Sequence, residues 1–450
     1  MRNFWIHVGG SIAINEGGRY PPGSYFLGQQ PTGELCGSSF WIRFNRKGTT
    51  NPHAMLLSRF PSCISIVLSF CGWSFVERYH QLRPAAEVYT AEIERSLLNV
   101  ILANQAGPDA DPPTIRYFAQ LEGAKATPTN VVTCCESQGT RTYGALPEFV
   151  YTASKTDPDV IYVNLFVPSV HTAVGFRLVQ TSDFPRSGTF SLAMATSAPL
   201  RPAAATAIQV MIRIPSWCAE SAVPVVVTAA DGATVRTMSG RPGSYLAVQL
   251  AATQTVSALF PMRLRLSMYN GTAPVDDFAC NSVGVVRAAV EVSLPDSLFQ
   301  VLLLDYSSNF LSLKRRPSVK LQWGPTLLAA TYSTDPKCSR AQPATGPWAP
   351  AVTIVGVDPR VMELSDWLLP AGHDQHGDPV FAVKGTSGCI LFRYYYTMQN
   401  ESFSVYPNFL TTAGLDQRGT CAVTSERAHR CFPGTPNQHT SFVFCVELVC

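Results

Sequence analysis

Residues 131–141 read Val-Val-Thr-Cys-Cys-Glu-Ser-Gln-Gly-Thr-Arg, and two adjacent cysteines, Cys134 and Cys135, lie at their centre. Neighbouring side chains point apart, so two adjacent cysteines are poorly placed to form a disulfide with each other. Two thiolates that reach one metal ion explain the pair better. A metal that prefers soft ligands takes about four of them in a tetrahedral arrangement. The pair therefore predicts further ligands elsewhere in the chain.

The best candidates for those ligands lie in residues 33–37, where the carboxylate of Glu34 is followed two positions later by the thiol of Cys36. Together with Cys134 and Cys135 they supply one oxygen and three sulfur donors, a set that suits zinc. A site that takes all its ligands from the protein is usually structural. The residues alone therefore favour a structural zinc site and leave a catalytic one open.

The composition limits the classes of protein to which the chain can belong. Its 450 residues suffice for two or three domains of ~150 residues each. Charged residues make up only 14% and the net charge is +3, without the Lys/Arg stripe of a nucleic-acid-binding protein. The longest apolar stretch, residues 63–76, is shorter than the ~20 residues of a membrane helix. We therefore expect a soluble protein with neither nucleic acid nor membrane as partner.

The compartment of the protein stays open at this stage. Residues 1–10 lack the basic and then apolar pattern of a signal peptide. Four of the 13 cysteines lie near the end of the chain, where disulfides are expected if the protein is secreted. These are Cys421, Cys431, Cys445 and Cys450.

The first 152 residues predict a mainly helical region. One helix is expected to begin near Glu34, a second to cover residues 87–105, and a third to follow the cysteine pair. Apolar residues recur at helical spacing in the second helix, with Glu92 and Glu94 among its polar positions. Residues 115–118 resemble a short strand. Residues 48–78 follow neither a helical nor a strand period, and we interpret them as an insertion.

From residue 153 onward the pattern changes to short β-strands separated by turn residues. Residues 160–167, 175–179, 189–193 and 208–214 favour strands, and their spacing is typical of a β-sandwich covering residues 153–270. Further strand signals predict a second β-rich domain over residues 271–410. Residues 411–450 form a cysteine-bearing tail for which the sequence predicts no fold. The fold class is therefore α+β with several domains.

The same motifs resemble glycoside hydrolase family 127 (GH127), the β-L-arabinofuranosidase-like proteins. The likeness runs to about residue 335, the insertion excepted, and rests on specific segments in combination. Besides residues 33–36 and 131–141, these are residues 9–12, 89–105, 161–166, 181–185, 213–217 and 323–325.

The resemblance implies an (α/α)6 barrel, of six-hairpin glycosidase type, followed by β-sandwich domains. It implies a zinc ion held by Glu34, Cys36, Cys134 and Cys135, with Cys134 as the nucleophile. The acid/base glutamate of the family corresponds best to Glu16, on a glycine-rich loop. The implied activity is retaining hydrolysis of terminal L-arabinofuranose in plant-type glycans.

The chain departs from the family in the length of its helical region. A barrel of twelve helices needs several hundred residues, and the substrate-binding histidines that the family takes from earlier helices have no counterpart here. We therefore expect residues 1–152 to be the C-terminal part of the barrel, and the chain as given to hydrolyse substrate barely or not at all. The alternative function is a non-catalytic carbohydrate-binding or scaffold protein with a structural zinc.

Overall fold

The protein is a mixed α+β structure with several sheets. The computed structural model describes residues 9–11, 33–46, 87–106, 114–125, 133–153, 157, 160–196, 207–218, 220–269, 287–289, 303–305, 318–341, 352–359, 362–386, 388–405, 407–410, 428–432 and 444–448. The predicted insertion at residues 48–78 and most of the tail, including Cys421 and Cys450, lie outside these residues. Among the described residues, no helix has the length and apolar character needed to cross a membrane.

In the described part of the chain, four helices precede the main sheets. They are α1 (Leu35–Arg46), α2 (Glu87–Ser96), α3 (Cys134–Gly144) and α4 (Pro147–Val150). α2 continues through a π-helical turn, Leu97–Ile101, and a last α-helical turn, Leu102–Asn104. All three helices predicted from the sequence are therefore confirmed, and Trp41 of α1 is buried as its apolar pattern indicates.

The strand predicted at residues 115–118 is wrong. Only an isolated bridge between Gln105 and Ile115 forms there. The segment bonds to helix ends instead, because the Arg116 N–H donates to the carbonyl of Asn104 and the Leu35 N–H donates to the carbonyl of Tyr117. It thus connects the end of α2 to the start of α1. A two-residue strand, β1 (Glu122–Gly123), follows it.

The polar positions of α2 also differ from expectation. Glu92 and Glu94 are buried, whereas Val88, counted with the apolar face, is 40% exposed. The reason is tertiary: Glu92 accepts a hydrogen bond from Arg95, and Glu94 bonds to the buried Arg213 of a distant strand. Paired carboxylates are buried here as apolar side chains would be.

A β-sandwich follows, built from a four-stranded and a six-stranded sheet. Its strands are β2 (Tyr151–Ala153), β3 (Val160–Val163), β4 (Ser169–Ala173), β5 (Phe176–Ser182), β6 (Thr189–Thr196), β7 (Ala207–Ile214), β8 (Val223–Thr228), β9 (Thr234–Gly240), β10 (Ser244–Ala251) and β11 (Thr255–Leu259). The sheet orders are β10-β7-β3-β2 and β4-β5-β6-β11-β8-β9. Alternate residues of both sheets meet in one apolar core, which contains Val210 of β7, Val225 of β8 and Trp217.

A third and larger sheet has eight strands. Its strands after the sandwich are β12 (Leu264–Tyr269), β15 (Ser318–Trp323), β16 (Thr326–Tyr332), β18 (Leu368–His373), β19 (Pro379–Val383), β20 (Ile390–Tyr394) and β21 (Phe403–Ser404). The remaining strands form three two-stranded sheets: β13 (Arg287–Ala289) with β14 (Leu303–Asp305), β17 (Thr353–Val355) with β22 (Asn408–Leu410), and β23 (Ala428–Phe432) with β24 (Phe444–Leu448). β1 pairs with β21, so the helical region contributes a strand to this sheet. A disulfide between Cys338 and Cys389 links two of its connections.

Candidate metal centre and active site

The adjacent cysteines lie in the first turn of α3, and a capping box fixes that turn. Thr133 is the N-cap residue: its hydroxyl accepts a hydrogen bond from the Glu136 N–H, while the Glu136 carboxylate accepts one from the Thr133 N–H. This reciprocal arrangement satisfies two backbone donors that a helix start leaves unpaired. The capping box therefore fixes the backbone of the turn from which the thiols of Cys134 and Cys135 project.

Three thiols meet at this helix start. The sulfur atoms of Cys36, Cys134 and Cys135 all lie within 4.8 Å of one another. Cys36 and Cys135 are buried, whereas Cys134 is exposed. The cluster therefore presents one thiol to solvent and keeps two inside the protein.

The carboxylate of Glu34 borders the cluster. The Cys135 thiol donates a hydrogen bond to Glu34 Oε1 at 3.5 Å, and the Gly37 N–H donates to Glu34 Oε2 at 3.3 Å. Glu34 precedes α1 and is 7% exposed. Of the four side chains that the sequence singled out as metal ligands, the structure thus groups the three thiols and places Glu34 against one of them, Cys135.

Close packing of α1 on α3 sets the distance between Cys36, which lies on α1, and the pair Cys134 and Cys135, which lies on α3. Gly139 of α3 faces Leu35, and a Cβ at this glycine would lie 2.7 Å from Leu35 Cδ2 and 3.0 Å from two carbon atoms of Ile115. The hydroxyls of Ser39 and Thr142 add a hydrogen bond of 2.5 Å between the helices. The absence of a side chain at Gly139 lets the helices approach closely.

The donor chemistry of the cluster fits the zinc that the resemblance implies. The sulfur atoms of Cys36 and Cys135 are 3.1 Å apart, well beyond the ~2.05 Å of a disulfide. The hydrogen bond shared with Cys135, and then burial, raise the pKa of the Cys36 thiol. Neighbouring thiols cannot all ionise in a buried site without a cation, and a divalent ion with soft ligands offsets that repulsion. The residues therefore suit a thiophilic metal.

One residue at the site escaped sequence reasoning. The hydroxyl of Tyr117 lies 3.6 Å from Cys134 Sγ, and the carbonyl of the same residue accepts the Leu35 N–H at 3.1 Å. Tyr117 thus contacts both the exposed thiol and the start of α1. Its sequence context gave no signal, because the contact depends on how residues 114–121 cross between α2 and α1.

The predicted acid/base residue, Glu16, lies outside the described residues. The described part of its loop, residues 9–11, is held against α2: the Ser96 hydroxyl donates to the Gly10 carbonyl at 3.0 Å. Gly10 has φ +100°, and a Cβ there would lie 2.6 Å from Ser96 Oγ, so only glycine fits. Arg141 lies exposed in the last turn of α3.

Comparisons with known proteins agree with this architecture. Residues 160–262 match the family model described as beta-L-arabinofuranosidase, GH127 middle domain. A solved glycoside hydrolase has a similar structure, with a TM-score of 0.55 and 15% identity over 91% of this chain and 60% of its own. A GH127 β-arabinofuranosidase matches with a TM-score of 0.55 and 14% identity over 91% of this chain and 55% of its own. No curated protein sequence matches the chain.

A third solved structure is a GH127 β-L-arabinofuranosidase from Geobacillus stearothermophilus T6, with a TM-score of 0.53 and 13% identity. It aligns over 90% of this chain and 55% of its own length. The chain therefore has the fold of this class of glycoside hydrolase structures and spans 55–60% of their length. The resemblance to GH127 is confirmed, since residues 160–262 match the model of that family's middle domain.

Proposed function

We propose that the chain carries the nucleophile and metal site of a retaining glycoside hydrolase of the β-L-arabinofuranosidase type. The observation that carries the proposal is the group of three thiols next to Glu34, in a chain with a GH127 middle domain. The expected substrate is a carbohydrate with a terminal L-arabinofuranose, as in plant-type glycans.

In this proposal Glu34, Cys36, Cys134 and Cys135 hold one zinc ion. Bound zinc keeps the thiols ionised, whereas a free thiol with a pKa of ~8.5 is mostly protonated at neutral pH. Two of these cysteines are buried and hold the cluster in place. Cys134 alone is exposed, as a nucleophile that must reach a substrate has to be.

The chemistry proceeds in two displacements. Cys134 Sγ forms a bond to the anomeric carbon while the glycosidic C–O bond breaks, and Glu16 donates a proton to the leaving oxygen. In the second step a water molecule attacks the same carbon, Glu16 takes the proton of that water, and the C–S bond breaks. The anomeric configuration is retained because the carbon is inverted twice.

The finer layout of the chain belongs to the same proposal. Residues 1–152 would be the C-terminal part of an (α/α)6 barrel, with residues 48–78 inserted into it. Residues 153–270 would form the middle domain and residues 271–410 a second β-rich domain, with residues 411–450 as a tail. Burial of Leu35, Ile93 and Phe149 in one apolar cluster supports a packed helical unit at this end of the chain.

A non-catalytic protein with a structural zinc is the competing function. It is favoured by the donor set, because four protein ligands complete a tetrahedron and leave no position open on the metal. Hydrolysis separates the two functions. Because this chain is expected to hydrolyse substrate barely or not at all, any release of L-arabinose from an aryl β-L-arabinofuranoside should be slow, with retained configuration by NMR.

Cys134→Ser is the decisive variant for this assay. It should abolish release of the sugar, and the α-L anomer of the substrate should not be cleaved by either protein. Zinc content is measured in parallel, so that loss of chemistry is distinguished from loss of metal. Measurable release at equal rates by the wild type and Cys134→Ser would overturn the proposal.

A further inference from the structure

A buried group of charged side chains joins the sandwich to α2. Arg213 of β7 is fully buried, and the even-numbered residues on either side of it point into the sandwich core. Because side chains alternate along a strand, Arg213 points out of the opposite face. There it meets Glu87 and Glu94, which lie seven positions apart on one face of α2.

The contacts within this group are directional. Arg213 donates from two nitrogens to both oxygens of Glu94, at 2.8 and 2.9 Å, and from Nε to Glu87 at 2.9 Å. The indole N–H of Trp217 donates to Glu94 at 2.8 Å, and the backbone N–H of Ser216 donates to Glu87 at 3.2 Å. We call Arg213, Glu87, Glu94 and Trp217 the arginine clasp.

The bidentate geometry of the clasp determines the rotation of α2 about its own axis. A planar guanidinium bound at two oxygens accepts little rotation of its partner. A second link acts in the same direction, since Tyr245 of β10 bonds to Thr90 of α2 and to Asn164, both at 2.8 Å. The outer face of the four-stranded sheet therefore holds α2 in one orientation.

The rest of α2 contacts the candidate site. Ile93 of α2 and Ile101, at the end of the π-helical turn that continues α2, belong to one apolar cluster with Leu35, Cys36 and Cys135. Ser96 binds the carbonyl of Gly10, in the glycine-rich loop. In the π-helical turn that follows, Asn99 bonds to Pro325 and Leu327 of the larger sheet at 3.0 and 2.8 Å.

We propose that Arg213 is a positioning residue for the candidate site, and that the sandwich acts through it as the scaffold of the thiol cluster. Holding α2 in one rotation keeps Ile93 in the apolar cluster that contains the buried thiols, and keeps Ser96 against the glycine-rich loop. Loss of the bidentate contact frees this rotation, so the buried cysteines become accessible while the exposed one does not change. Only the catalytic meaning of this role rests on the proposed function.

The test measures alkylation of each cysteine by iodoacetamide in the chelator-treated full chain, followed by peptide mass spectrometry. Arg213→Lys keeps the positive charge but loses the planar guanidinium that binds both oxygens of Glu94. We expect alkylation of Cys36 and Cys135 to accelerate by about tenfold or more in this variant. The rate at Cys134 should stay unchanged. If Arg213→Lys does not fold, Glu94→Gln weakens the same contact with little change of shape.

The matched control is Val225→Ala, which leaves a cavity in the sandwich core away from the clasp. At an equal loss of melting temperature it should leave Cys36 and Cys135 protected. Wild-type alkylation rates in the clasp variants would overturn the proposal, as would equal acceleration in Val225→Ala. The readout needs neither substrate nor metal, so a release of arabinose that Cys134→Ser does not reduce would overturn the proposed function and leave this result standing.

Discussion

Cys135 Sγ lies 3.1 Å from Cys36 Sγ, although the two residues are 99 positions apart in the chain. The contact joins the first turns of α1 and α3. Tyr117 contacts both helix starts, since its carbonyl accepts the Leu35 N–H and its hydroxyl lies 3.6 Å from Cys134 Sγ. Two buried thiols at this distance, with a third nearby, form the centre on which the account of function depends.

Metal content tests this centre without any substrate. We expect about one zinc per wild-type chain and a clear loss in Cys135→Ser, because the hydroxyl is a much weaker zinc ligand than a thiolate. Elemental analysis after dialysis gives the stoichiometry. Cys218→Ser is the control, since this buried thiol belongs to the sandwich core. Equal zinc in wild type and Cys135→Ser would remove the four-ligand hypothesis.

Two glycines of α3 should respond in opposite directions to the same substitution. Gly139→Ala forces a methyl group to within 2.7 Å of Leu35, and such overpacking costs about 1–3 kcal/mol, more than the ~1 kcal/mol gained in helix propensity. Gly144→Ala meets no atom within 4 Å and gains propensity only. Thermal unfolding should therefore show a lower melting temperature for the first variant and an equal or higher one for the second. A stabilised Gly139→Ala would contradict the close helix contact.

The disulfide between Cys338 and Cys389 closes a separation of 51 residues. Constraining a loop of this length in the unfolded chain should stabilise the protein by about 2–4 kcal/mol. Urea unfolding is expected to shift to a lower midpoint in a phosphine reductant. The double variant Cys338→Ala/Cys389→Ala should start at that lower midpoint and show no further shift. An equal urea midpoint of the wild type with and without the reductant would contradict the prediction.

Asp374 and Asp378 should give stability contributions of opposite pH dependence. Burial would raise the pKa of Asp374, but hydrogen bonds from two backbone N–H groups and from Arg393 lower it below its ordinary value of 3.8. The unfolded chain then binds the proton more tightly, so this contribution is present above the ordinary pKa and is lost as the pH falls through the folded pKa. Asp374→Asn should therefore destabilise more at pH 6 than at pH 3.

Burial raises the pKa of Asp378, despite the hydrogen bond from Arg186. Here the folded protein binds the proton more tightly, so the contribution is present below 3.8 and is lost as the pH rises through the raised pKa. The free energy of unfolding of the wild type, relative to that of Asp378→Asn, should therefore decrease as the pH rises through this range. Urea unfolding of both variants between pH 3 and 7 is the measurement; slopes of the same sign would contradict it.

The candidate site was predictable because its residue types are chemically unusual. A cysteine pair and a Glu-x-Cys segment indicate a metal site whatever their position in the chain. The strands of the sandwich are visible in the sequence as alternating apolar and polar residues. Contacts made through tertiary packing left no such signal. Glu94 appeared to be a solvent-facing residue because its partner, Arg213, lies 119 positions away.

Pairing between distant short segments was equally hidden. β1 has two residues and joins the equally short β21, more than half the chain away, so neither segment shows a strand period. The disulfide of Cys338 was missed because cysteine spacing does not determine connectivity. The roles of Cys134 and Glu16, and the barrel, remain predictions of the resemblance.

The most direct test of the central claim locates the nucleophile chemically. The chain is incubated with an epoxide analogue of β-L-arabinofuranose, which a nucleophile placed below the anomeric carbon opens, and the adduct is mapped by peptide mass spectrometry. The D-configured epoxide is the control for simple reactivity of an exposed thiol. The account predicts an adduct on Cys134 with the L-configured epoxide and little with the D-configured one. An adduct on another residue, equal labelling by both epoxides, or no adduct would contradict it.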